Sequence, residues 1–82
     1  MFRPESSTPA STSIQAIIIS KDTYTKARAN RWIKTHGFRP IKKMHETMRS
    51  YRYRLIEPDY YNYEYRTKKF TEGIKAVIQI PK

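Results

Sequence analysis

The side chains of this 82-residue chain that could act chemically fall into two groups: a pair of histidines, and a large population of basic residues and tyrosines. His36 and His45 are nine residues apart, whereas two metal ligands on one helix need i, i+4 spacing and further Cys or carboxylate partners. Cysteine is absent and the seven carboxylates are scattered. Neither a metal site nor the converging acids of a two-metal hydrolase is therefore expected. The glycines, Gly37 and Gly73, build no phosphate-cradling loop. These residues predict a non-enzymatic chain with no catalytic residue, no metal and no cofactor. His36 is placed to meet the last carbonyls of a helix, and His45 to face solvent.

The basic residues carry a stronger signal. Lys26, Arg28, Arg31, Lys34, Arg39, Lys42 and Lys43 lie between Thr23 and His45 with no acid among them. A helix face that is merely solvated mixes charge signs and gains a few tenths of a kcal/mol from each i, i+4 pair; this one forgoes them. The formal charge of the whole chain is +10, with a pI near 10.1. A polyanion relieves the resulting self-repulsion, and nucleic acid, DNA or RNA, is the default partner.

The tyrosines are interleaved with cations in "SYRYRLIEPDYYNYEYRTKKF". Tyrosine beside arginine can stack bases while guanidinium groups hold phosphates, and the same alternation describes a half-buried strand. Tyr51 and Tyr53 share a face with Leu55 and are assigned to the core. Arg52 and Arg54 point the other way and extend the basic surface. Tyr60 and Tyr61, beside a turn, are candidates for an exposed aromatic surface that meets bases or another protein. The expected binding residues are thus Lys26, Arg28, Arg31, Lys34, Arg39, Lys42, Lys43, Arg52, Arg54, Tyr60 and Tyr61.

The elements that position them follow from patterning. "IQAIIIS" is a short apolar run suited to a central strand buried on both faces. Thr25 is a helix N-cap, Tyr24 and Ala29 a hydrophobic staple, and Gly37 with Phe38 a Schellman stop, which sets a helix of about Lys26 to His36. Ala29, Trp32, Ile33 and His36 form its buried stripe. "PIKKMH" fits a short edge strand, "SYRYRLI" a clear strand, "EPDYYN" a turn, "YEYRTKK" a weaker strand, "TEG" a turn, and "IKAVIQI" a closing strand with Val77 alone apolar on its second face. The fold class is α+β, with one helix packed on a small mixed or antiparallel sheet of four to five strands in the order β-α-β-β-(β)-β.

Residues 1–13, with four Ser, two Thr and two Pro, bury too little to offset their ordering entropy and read as a disordered tail. Residues 14–82 form a single domain close to the lower size limit for a core without disulfides or metal. A sheet with one covering helix would leave Ile17, Ile19 and Val77 on its open face, which argues for a homodimer unless the chain after Pro58 folds over that face. No run is long enough to span a bilayer and no signal peptide is evident, so no membrane partner and an intracellular or virion location are expected.

Two resemblances bear on these expectations. "WIKTHGF" followed by strands resembles the layout of metal-independent RNA-cleaving toxins with a double-stranded-RNA-binding-like fold. Those carry a His directly after Gly-Ser at a strand start, and "HETMRSY" departs from that pattern. "SIQAIIISKDTYTKARANRWIKTHGF", "YRYRLIEP" and "YRTKKFTEGIKAVI" together resemble a family of short proteins and segments from tailed phages and large DNA viruses. That resemblance covers about Ile14 to Ile80. It implies a viral origin, a virion or packaging context in host cytoplasm or nucleus, and no catalytic residue to carry over. The function expected is phosphate-led nucleic-acid binding with little sequence specificity; the alternatives are a virion or head-assembly module that contacts viral structural protein through a Tyr/Arg surface, and a metal-independent RNA-cleaving toxin.

Overall fold

The computed structural model describes residues 13–82. The elements run β1 (Ser13–Ser20), α1 (Lys26–Thr35), β2 (His45–Glu46), β3 (Ser50–Arg54), β4 (Tyr63–Thr71) and β5 (Ile74–Pro81). The strands form one antiparallel sheet in the order β2-β3-β1-β5-β4. One helix on a small antiparallel sheet is the α+β arrangement expected from the sequence. The Ile-rich β1 is its central strand, as its apolar run requires.

Cross-strand partners share a face, so register assigns the two sides of the sheet. Ile17 lies opposite Tyr53 and Ala76, and Ile19 opposite Tyr51 and Ile74. These six side chains are buried beneath Ala29 and Ile33 of α1 and form the core. Ile17 and Ile19 are 0% exposed. They therefore do not form the open patch that argued for a dimer. A bulge at Gln15 shifts the alternation of β1, bringing Ile14 to the helix side with Ile78 while Ala16 faces away with Val77.

The opposite face has its own cover. The crossover from β3 to β4 is pinned on β1, where the Leu55 and Ile56 N–H groups donate to the Gln15 carbonyl and Gln15 Nε2 donates to the Ile56 carbonyl. It is pinned again on β4, where the Asp59 N–H donates to the Tyr65 hydroxyl at 2.6 Å and that hydroxyl donates to Gln79 Oε1 at 2.9 Å. Val77 and Gln79, on the strand between these anchors, are 7% and 6% exposed. Asp59 accepts from the Tyr61 and Asn62 backbone N–H groups, the Asx geometry that makes "EPDYYN" a turn.

The helix ends as its sequence dictates. Thr25 Oγ1 accepts from the Arg28 N–H, the Phe38 N–H donates to the Ile33 carbonyl and the Gly37 N–H to the Lys34 carbonyl, with Gly37 at φ +75°. His36 caps the helix and its Nδ1 lies 2.8 Å from the Trp32 carbonyl. Three expectations need correction. Ser13, assigned to the tail, is the first residue of β1; residues 1–12 lie outside the described residues. The edge strand at "PIKKMH" shrinks to His45–Glu46, because Pro40 has no N–H and Ile41 makes a single bond, to the Arg54 carbonyl. The buried stripe of the helix narrows to Ala29 and Ile33: His36 is exposed and Trp32 half-buried at the rim, the two stacked with ring centroids 3.9 Å apart and Trp32 edge-on to Phe70 at 5.7 Å. No helix among the described residues is long and apolar enough to cross a membrane.

Candidate nucleic-acid interface

Helix α1 sits on the sheet with two distinct flanks. Asn30 points toward β3, where it accepts from the Tyr53 hydroxyl at 2.5 Å, and Lys26 points toward β2, 3.8 Å from Glu46. Trp32 points the other way, toward Phe70 of β4. A shallow depression along that second flank is lined by Tyr24, Arg28, Arg31, Trp32 and Thr35. The Arg28 guanidinium lies over the Tyr24 ring at 5.4 Å, a cation–π arrangement that leaves its N–H donors free for anions. Arg31 and Lys34 are exposed on the outer side of the helix, and Arg39 and Lys43 on the loop that follows. None of Arg28, Arg31, Lys34, Arg39 and Lys43 pairs with a carboxylate among the described residues.

The helix bears these cations at a cost. Its first turn has no acidic residue and instead carries Lys26 and Arg28, where the positive end of the macrodipole disfavours cations by roughly 0.3–1 kcal/mol each. Thr25 offsets part of this through its cap.

The remaining expected residues are divided among three other places. Lys42 and Arg54 share the single Glu57 carboxylate, at 3.0 and 3.4 Å. The same two contacts, Lys42 first, hold the Glu57 carboxyl below its ordinary pKa. Lys26 shares Glu46 with Lys21, whose hydrogen bond at 2.6 Å is the main cause of the lowered Glu46 pKa. Each carboxylate meets two cations on exposed side chains, so the charges of Lys26, Lys42 and Arg54 are only partly offset. Arg52 lies opposite His45 and Ile18, on the sheet face turned away from the helix. Tyr60 and Tyr61 are 70% and 88% exposed on the β3–β4 crossover, with the Tyr60 ring edge-on to Tyr65 at 5.0 Å.

The structure thus brings Arg28, Arg31, Lys34, Arg39 and Lys43 to the helix and its following loop, and separates Arg52, Tyr60 and Tyr61 from them. The sequence reading missed Lys75, Lys69 and Arg49, which are exposed or line a concavity on the second sheet face. Period-2 alternation could have paired Lys75 with Arg52, but only the strand order shows them two strands apart across Ile18. Trp32 and Phe70 were also missed as an aromatic pair, because they meet across α1 and β4. Among the described residues no group of three or more His, Asp or Glu side chains could hold a metal ion. Comparison with protein-family models, curated proteins and solved structures yields no match.

Proposed function

We propose that this chain is a small non-enzymatic protein that binds nucleic acid through its phosphates with little sequence preference. The observation that carries this reading is the set of exposed, unpaired cations Arg28, Arg31, Lys34, Arg39 and Lys43 on one continuous stretch of helix and loop. Evenly charged acceptor-rich backbones complement such a surface, while an ordinary solvated helix would have neutralised it in part. The Tyr24 and Trp32 rings beside Arg28 and Arg31 add stacking surface for an unpaired base.

The exposure of Tyr60 and Tyr61 favours a second reading, contact with another protein, of which a viral structural protein is the candidate that the sequence resemblance supplies. Reversal of Arg28, Arg31 and Lys34 to Glu separates the two. On the phosphate reading the triple variant loses about tenfold or more in affinity for a duplex and its log-log salt slope becomes shallower by about 2–3. Its melting temperature shifts little, because all three side chains are exposed and the macrodipole favours Glu at position 28 in the first turn while disfavouring it at position 34 in the last. Unaltered affinity moves the interface off the helix; unaltered affinity together with loss of a protein partner in Tyr61→Ala selects the second reading.

A further inference from the structure

We propose, building on the nucleic-acid reading, that the sheet face turned away from the helix is a second phosphate-binding surface, so that one copy of the chain bridges two nucleic-acid segments. Strand register places five side chains in one transverse row: His45 opposite Arg52, Arg52 opposite Ile18, Ile18 opposite Lys75, and Lys75 opposite Lys69. With strands about 4.8 Å apart, the row crosses all five strands over roughly 19 Å. Ile18, half-buried, is its floor.

Like charges directly opposed on a sheet destabilise it, and Lys69 faces Lys75 in this way. Glu72 meets Lys69 from the hairpin at 3.3 Å, while Arg52 and Lys75 pair with no described carboxylate. The row borders a concavity of about 620 Å³ whose lining includes Ile18, Ser20, Arg49, Ser50, Lys69 and Lys75. Its serine hydroxyls and basic groups are the side-chain types that contact phosphate oxygens. Asp22 and Glu72 also line it. Both lie in the turns beyond the strand ends, so a polyanion follows the row across the strands instead of entering between them.

A line of cations over a shallow apolar floor suits a phosphodiester backbone. The helix cations lie on the other side of the same sheet. Duplex DNA, with a persistence length of about 50 nm, does not bend tightly enough to touch both sides of a domain this small. Two faces therefore take two segments. The helix side, with more unpaired cations, is the tighter of the two.

The test immobilises one duplex of about 30 base pairs and measures how much of a second, fluorescent duplex the full chain retains on it. Wild type retains the second duplex. Arg52→Glu with Lys75→Glu keeps affinity for a single duplex within about threefold, yet loses about tenfold or more of the retention. Arg28→Glu with Arg31→Glu also loses retention, and an equimolar mixture of the two variants does not recover it. Both pairs are exposed, so a wild-type circular dichroism spectrum and a melting temperature no lower than wild type's certify the fold, Lys75→Glu relieving the repulsion from Lys69; Arg52→Ala with Lys75→Ala serves if charge reversal perturbs it. Wild type that binds one duplex without retaining a second overturns the proposal, as does retention that survives the sheet-face variant. Recovery by the mixture assigns bridging to a dimer and overturns the one-copy route. A chain that binds no duplex at all fails the nucleic-acid reading itself.

Discussion

Tyr65 shows how one hydroxyl can hold a segment. It accepts from the Asp59 N–H and donates to Gln79 Oε1, and Gln79 is buried. Tyr65→Phe leaves that amide oxygen without its partner and frees the crossover that covers Val77. An unsatisfied buried polar group costs about 1–3 kcal/mol, which in a domain of this size lowers the melting temperature by roughly 4–8 °C per kcal/mol. Tyr61→Phe, whose ring is 88% exposed, should change it little. A thermal melt that leaves Tyr65→Phe with wild-type stability would show that the crossover is held by something other than this link. At this scale the sequence was legible where a residue's neighbours are its sequence neighbours. Alternation put Tyr51 and Tyr53 in the core, where they are 7% and 3% exposed. Tyr65 was opaque because its partners are six and fourteen residues away. Its period-2 position says which face it takes, not what crosses that face.

Two glycines at similar backbone angles test how the elements are joined. Gly37, at φ +75°, closes the helix with nothing within 4 Å of a Cβ built there. Gly73, at φ +78°, turns β4 into β5, and a Cβ there would sit 2.7 Å from Thr23 Cβ and Oγ1. Both changes to Ala incur the left-handed penalty of roughly 1–2 kcal/mol. Gly73→Ala adds a collision with the loop that leads into the helix. Chemical denaturation should therefore find Gly73→Ala less stable than Gly37→Ala by about 1 kcal/mol or more, with Thr23→Gly recovering only the steric part. Equal losses would mean that Thr23 moves aside freely. The helix was legible almost to the residue because Thr25 supplies its start signal and Gly37 with Phe38 its stop signal locally. The sheet faces were not. The bulge at Gln15 shifts which residues of β1 share a side, and no residue type in "IQAIIIS" marks it. Pro40 trimmed the edge strand for a reason the sequence does contain, its missing N–H, although where pairing resumes depends on β3.

For the molecule as a whole, the charge was legible and its distribution was not. A +10 chain could have gathered its cations on one side. Instead Glu46 sits between Lys21 and Lys26 and Glu57 between Lys42 and Arg54, and the unpaired cations divide between the helix side and the far sheet face. The helix buries Ile17 and Ile19 and the β3–β4 crossover covers the Val77 end of the far face, which removes the apolar patch that argued for a homodimer. If the unpaired cations bind phosphates, affinity must fall steeply as salt rises. Affinity for duplex DNA and for RNA should be measured by fluorescence anisotropy from low to physiological salt. With about five phosphates contacted, the log-log slope should be around −3 to −5 for either nucleic acid, with little change between unrelated sequences. Tight binding that stays flat over that range of salt would mean that phosphate contacts do not hold the complex together.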